Sequence, residues 1–284
     1  MIGQRRNIPK SHHFVAQMHS ERFADQEEKL WAFNKGSANL FHAPPKAVFT
    51  ETHLYTIESP DGVKDTSLEV DFSRLEGEAN LIIEKLVIAA RSGEPPELTE
   101  GDRVTWDTYF YLQWKRVPDV HNKVASLAEA NTWLSDFFAQ VRNRGPEAAA
   151  RANALDTPAE RKRLIQEAKV HSIRKTPGRV LEVLASRGLA VLHVTAPGES
   201  FAIGSLPIVR MQGDLRRADS ETWLPVASDV AVGPGFAPGT VTFIPLTDAA
   251  QIWRMNMVTA KQSMTFAAAS KELVERLVAN LPNK

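Results

Sequence analysis

The sequence contains no cysteine. That excludes disulfides, thiolate zinc sites, iron–sulfur ligation and a cysteine nucleophile, so any metal has to rest on His, Asp or Glu. Charge of one sign is not in surplus either, since 34 Lys and Arg balance 34 Asp and Glu. Bulk attraction to nucleic acid or an anionic membrane therefore drops out, and only local patches remain. Long hydrophobic runs are missing: the best, Leu81 to Ala90, is cut by Glu84 and Lys85, whereas a membrane span takes about 18 apolar residues. No apolar segment follows the basic opening MIGQRRNIPKSHH, so no secretory signal is read there and a cytoplasmic location is expected by default. The chain also lacks the glycine-rich nucleotide loops, the G-x-S-x-G elbow and the H-E-x-x-H zinc helix.

What remains is a globular composition, 284 residues with 43% hydrophobic and 24% charged, enough to bury a sizeable core. Two aromatic-bearing runs, 29–33 and 39–42, flank Asn34-Lys35-Gly36-Ser37 and predict a β-hairpin. A further extended run, 47–57, ends at Pro60-Asp61-Gly62. Leu68, Phe72, Leu75, Ala79, Ile82 and Leu86 then recur at steps of four and three, which predicts a helix opened by a Thr66-x-x-Glu69 capping box and closed near Gly93. Helices are also predicted over 104–117, 120–142, from Thr157-Pro158-Ala159-Glu160 to about 174, and over 179–187, with a linker or loose helix at 145–156. From Leu189 the pattern turns to strands at 190–194, 200–203, 230–232 and 240–244 around a long polar loop, then a helix to about 261, a strand at 264–268 and a helix at 271–280. This order argues for an α+β fold: an N-terminal hairpin module, a helical middle and a C-terminal mixed sheet with helices, in one unit with a break between 1–143 and 157–284.

Candidate chemistry starts at Ser11-His12-His13, where imidazole suits metal ligation or proton transfer near neutral pH. Adjacent strand residues point to opposite faces, so His12 and His13 share a site only if the backbone turns. Glu51, Glu69 and Glu76 are available carboxylates. Glu69 and Glu76, seven apart on the long helix, are either an inward-leaning acidic pair or two solvated flank residues. Tyr109, Gln113 and Arg116 form a row at i, i+4, i+7. Arg116 is equipped to orient a phosphate or carboxylate, or else to pair with the acidic helix before it. Segment 58–107 carries a net charge of −8 and 142–187 one of +6. The cluster Arg161, Lys162, Arg163, Arg174, Lys175 is thus either part of two mutually packed faces or a phosphate-contacting patch.

These residues carry a resemblance. His12-His13-Phe14-Val15-Ala16-Gln17-Met18, then Arg22-Phe23-Ala24-Asp25, is similar to the His-His-Tyr-Val-Pro-Gln-Phe opening of a bacterial family known as domain of unknown function 4238. The likeness continues through Leu30-Trp31-Ala32-Phe33, Glu51 with Leu54-Tyr55-Thr56, the Glu69 and Glu76 helix, and Gln113 with Arg116 and Pro118. It departs at Ala16, and at Gly204-Ser205-Leu206-Pro207, where the family's Ser-Asp-Asn-Pro loses Asp and Asn. The resemblance picks out His12, His13, Gln17, Glu51, Glu76, Gln113 and Arg116 and implies no reaction. Two function classes stay open. In one, these residues converge on a pocket that hydrolyses a phosphodiester or similar bond, with or without a divalent metal. In the other they form a structural network or binding pocket in a non-catalytic regulatory protein of a stress or phage-response system.

Overall fold

A computed structural model of the chain describes residues 11–59, 61–118, 120, 127–217 and 219–282. The elements in order are β1 (Ser11–His13), α1 (Gln17–Ser20), β2 (Leu30–Asn34), β3 (Asn39–Ala43), β4 (Thr50–Thr52), β5 (Ile57–Glu58), β6 (Lys64–Asp65), α2 (Ser67–Ser92) and α3 (Glu100–Lys115). They continue as α4 (Leu127–Arg142), α5 (Pro146–Leu155), α6 (Pro158–Arg174), α7 (Gly178–Ala185), β7 (Leu189–Val194), β8 (Ile203–Gly204), β9 (Val209–Gln212), β10 (Glu221–Ala227), β11 (Val230–Pro234), β12 (Val241–Leu246), α8 (Ala249–Gln262), β13 (Thr265–Ala268) and α9 (Lys271–Ala279). The class is α+β, and the mixed sheet lies in the C-terminal part.

That sheet has the order β12-β7-β11-β10-β9; β12 runs parallel to β7 and the other pairings are antiparallel. Alternation along β7 splits its side chains between two cores. Leu189 and Val191 join Ile83, Leu86, Trp106 and Tyr109 of α2 and α3, while Leu192 and Val194 join Ile252 and Met255 of α8. The predicted long polar loop is a correction. It folds into β9 and β10, a sequence hidden from periodicity because β10 carries Pro225 at a register shift and buries five of its seven residues on both faces; the strand predicted at 200–203 is reduced to the two-residue β8 at its end. The predicted hairpin forms, yet it does not stand as a module: β2 pairs with β13, giving a sheet of order β3-β2-β13-β8.

Helix α2 buries Leu68, Phe72, Ala79, Ile82 and Leu86 as the spacing requires, and Leu75 is half-buried. It ends at Gly93, whose φ of +79° is the left-handed conformation that stops a helix with little strain. The predicted capping box does not form. Thr66 sits at φ −117° and ψ 18°, away from the extended backbone of an N-cap, and makes no side-chain cap; the Asp65 carboxylate accepts from the Ser67 amide at 2.8 Å instead. Glu69 is thereby released from capping. The box does form one helix later, between Thr99 and Asp102. Segment 145–156 is an ordered helix begun by Pro146. The 47–57 run is interrupted by a turn at 53–55. The Pro60 part of its closing turn and residues 121–126 of the helix predicted over 120–142 lie outside the described residues.

Candidate functional site

The site grows from a three-residue ladder. β1 pairs antiparallel with β4, placing His12 opposite Glu51 and His13 opposite Thr50. The following turn carries His53 at φ +57°, an uncommon conformation for a residue with a side chain, and brings the chain back over His12. The Tyr55 amide donates to His12 Nδ1 at 3.1 Å, and the two rings stack with centroids 5.7 Å apart. A nitrogen that accepts an N–H carries no proton, so His12 is neutral with its proton on Nε2. The Glu69 carboxylate, 3.8 Å from that Nδ1, is consequently a neighbour and not the partner of an imidazolium.

Arg116 closes the site from the end of α3. Its guanidinium donates through Nε to the Phe14 carbonyl at 3.0 Å and through Nη1 to the Glu76 carboxylate of α2, and it lies 5.1 Å over the Phe72 ring. Its own carbonyl accepts from the Tyr55 hydroxyl at 2.9 Å. Burial is the largest single influence and opposes the charge of this fully enclosed side chain, but Glu76 together with Tyr55 and Tyr109 outweighs that penalty and keeps it protonated. Gln113, one turn earlier on the same buried face, and Tyr109 complete the row read from the sequence.

Five of the seven sequence-derived residues lie around Arg116 or the Tyr55 turn, but His12 and His13 leave the regular β1–β4 ladder on opposite faces, His12 beside Glu69 and His13 in range of Glu76 and Arg116, with Gln113 a turn before Arg116 on α3. Two lie elsewhere. Gln17 is exposed on α1 and donates to Glu21 at 2.8 Å. Glu51 sits outside on β4, in range of Lys169 of α6. Glu69, the other carboxylate of the helical pair, faces inward: burial pushes its carboxyl up to about 7, with Arg116 opposing the shift and Glu76 adding to it. His53, 6.5 Å from His12 ring to ring, lies with Tyr55 in a tight turn that has no periodic signal, and only the resemblance touches Tyr55 in the sequence. Burial also draws His13 below its ordinary range, although main-chain bonding at Lys46 and the Glu76 charge pull upward.

Several polar atoms here are buried with no hydrogen-bond partner among the described residues: His13 Nε2, His53 Nδ1, Thr56 Oγ1, Glu69 Oε2, Gln113 Oε1 and Arg116 Nη2. Orphans are rare in folded proteins, and so many in one neighbourhood mark a place for a small polar guest. Among the described residues no three His, Asp or Glu side chains are grouped to hold an ion.

Elsewhere, His19 is structural: its Nε2 bonds the Pro225 carbonyl at 2.5 Å and its Nδ1 bonds the Tyr109 hydroxyl at 3.2 Å. The basic cluster is largely spent. Arg161 pairs with Asp156, Arg163 with Glu160 and Glu167, and Arg174 with Asp71 and Ser67, while Lys162 and Lys175 remain exposed. Ser205 accepts through Oγ from the Met264 and Thr265 amides at 2.9 and 3.3 Å, tying β8 to β13. An aspartate there would accept the same two bonds, so the departure at Ser205 keeps the acceptor.

Fold and cluster together define an α+β protein with a buried histidine, carboxyl and arginine centre. The chain belongs to the family described as protein of unknown function (DUF4238), whose sequence profile matches residues 11–247. No curated protein and no solved structure matches it. Among the described residues no helix is long and apolar enough to cross a membrane.

Proposed function

We propose that this cluster cleaves phosphodiester bonds, in a cytoplasmic protein that meets nucleic acid there. The observation that carries the reading is the set of buried polar atoms with no partner among the described residues, Arg116 Nη2, His13 Nε2 and Gln113 Oε1, together with a Glu69 carboxyl that burial pushes up to about 7. Arg116 receives a non-bridging phosphate oxygen, His13 takes a proton from the attacking oxygen and Glu69 returns one to the leaving oxygen. With Glu69 protonated, the Arg116–Glu76 pair leaves the centre near neutrality, so a monoanionic diester is not repelled. The exposed Lys162 and Lys175 give a weak phosphate contact outside the site, to be seen as a modest salt dependence of binding.

The test is cleavage of fluorescent single- and double-stranded DNA and RNA by wild type, His13→Gln and Glu69→Gln. Both variants should lose at least about 100-fold while melting as folded proteins. A wild type that cuts none of the four substrates ends the reading.

One observation favours a second reading, a non-catalytic binding or regulatory pocket of a stress or phage-response system. Arg116 is 1% exposed and already bonds Phe14 and Glu76, as a purely architectural arginine does. Binding of a phosphodiester without turnover would select it.

A further inference from the structure

The mixed sheet has two faces, and the chain packs only one of them completely. Leu189, Val191, Val230 and Val232 close the face toward α2 and α3. On the other face the register of β7 and β11 sets Gly233 beside Ala190 and Ala231 beside Leu192, so three of these four central positions are small. The flanking strands carry larger side chains, Trp223 on β10 and Ile244 on β12, each half-buried. The Trp223 ring lies against Gly233, where a Cβ would stand 2.8 Å from its Cε3. Helix α8 roofs only part of this hollow, through Ile252 and Met255. What is left is a cavity of about 540 Å³, within the range of about 300–1,000 Å³ usual for small-molecule sites.

We infer that this cavity binds a zwitterion with a flat apolar body, an aromatic amino acid or a short aromatic peptide, at a site separate from the centre around Arg116. Its walls suit the body. Trp223, Met211 and Met255 line it, and Phe236, 72% exposed, stands at its rim; aromatic rings and thioether sulfur both pack well against a ring. Its charges suit the two ends of the guest. Four charged side chains line it, and two of them are engaged. Asp219 accepts from Arg217 at 2.8 Å, and Arg187 donates to the Gly235 and Arg217 carbonyls at 2.6 and 2.9 Å. The side chains of the other two, Glu221 on β10 and Arg254 on α8, make no hydrogen bond or ion pair among the described residues, with each other or with any neighbour.

A singly charged guest satisfies one of these two and meets the other as a like charge. A carboxylate pairs with Arg254 but is repelled by Glu221, and an amine reverses the two. A guest with both ends answers both, carboxylate to Arg254 and ammonium to Glu221, with its body over Ala190 between Trp223 and Ile244. Glu221 and Trp223 stand two apart on β10 and so share this face, which brings the ammonium near the indole as well. Arg187 is architectural here: its bonds to Gly235 and to Ser220 Oγ hold the two segments that bring Phe236 and Ser220 to the cavity.

Calorimetry on the full chain tests this with L-phenylalanine, the dipeptide Phe-Phe, and two analogues of phenylalanine that keep one charge each, 2-phenylethylamine and 3-phenylpropionate. At least one zwitterion should bind with a dissociation constant of about 1 mM or below, as a guest of a dozen or more heavy atoms does in a formed cavity. Both singly charged analogues should bind at least about tenfold more weakly. Arg254→Ala should weaken the zwitterion at least about tenfold and leave 2-phenylethylamine no weaker; Glu221→Gln should do the same and leave 3-phenylpropionate no weaker. Arg254 is exposed and Glu221 half-buried without a bond, so both variants should melt like wild type. Analogues that bind as tightly as the zwitterions, variants that weaken every compound alike, or no heat from any of the four overturns the inference.

Discussion

At the residue scale, two buried titratable groups bend stability with pH in opposite directions. Burial lowers His19 from 6.5 to about 4, with the Pro225 carbonyl opposing. The unfolded chain binds more protons than the folded one between those values, so this contribution is complete above pH 6.5 and lost as pH falls toward 4. It amounts to about 3 kcal/mol. Glu69 has the reverse sign. Its folded value is raised from 4.5 to about 7, so its contribution is complete below 4.5 and lost as pH rises to 7, again by about 3 kcal/mol at most. From pH 4.5 to 6.5 the two slopes nearly cancel. Glu69→Gln should therefore be more stable than wild type at pH 8, with a gap that shrinks toward pH 5, and should unmask a rise of stability with pH below 6.5. Urea denaturation at four pH values checks this; a gap independent of pH would mean that Glu69 ionises freely. On the proposed phosphodiester reading, turnover should decline above about pH 7 as the proton donor is lost, and Glu69→Gln should remove that limb of the profile together with most of the rate. What the sequence reveals at this scale follows chemistry. His12, His13, Glu76, Gln113 and Arg116 are picked out by the resemblance and by side-chain chemistry and helical spacing. Glu69 is ambiguous because a flank glutamate and an inward one have the same spacing, and only the failed cap at Thr66 turns it in.

Elements are the scale at which the site is held in shape. Phe72 is 4% exposed, packs edge-on against Tyr55 at 5.1 Å and supports the Arg116 guanidinium; Ile82 is 2% exposed in the core between α2 and the mixed sheet. Phe72→Ala and Ile82→Ala should each cost about 2–5 kcal/mol. Glu78→Ala, on the exposed face of the same helix, should change the melt little. The two core changes differ in function: Phe72→Ala should also slow turnover by loosening Arg116, whereas Ile82→Ala should leave the rate per folded molecule near wild type. Equal melts for Phe72→Ala and Glu78→Ala would show that α2 is rotated from this phase. Helices such as α2 and α6 are legible because their stripes and caps are local; Thr157 does accept from the Glu160 amide. Strands β9 and β10 are not, since β9 is four residues long and β10 is buried on both faces, leaving little alternation to detect.

At the scale of the whole molecule, the two ends of the chain share one sheet, which no local pattern announces. β13 lies between β2 and β8, with Phe266 opposite Phe33 on one side and Gly204 on the other. Behind it α9 buries Leu273, Val274 and Leu277, and α8 contributes Ile252 and Met255 to the core beneath the mixed sheet. All of this follows residue 247, where the family match stops. The matched segment is therefore not a self-sufficient fold. Cutting the chain after Thr247 removes the central strand of the four-stranded sheet and leaves β2–β3 as a bare hairpin, an arrangement that is marginal alone in water. The lost side chains Phe266, Leu273, Val274, Leu277, Ile252 and Met255, at about 1.5–3 kcal/mol each, are worth on the order of 10 kcal/mol, comparable to the whole stability of a typical domain. Residues 1–247 should consequently lose the cooperative thermal transition of the full chain and expose 30–34 and 39–43 to rapid amide exchange. Because β1, β4 and α3 pair with none of the removed strands, slowed exchange around His12 and Arg116 could survive in part, but not a sharp melt. A truncated chain that melts cooperatively within a few degrees of the full one would show that β13 is an accessory strand and that the sheet closes without it.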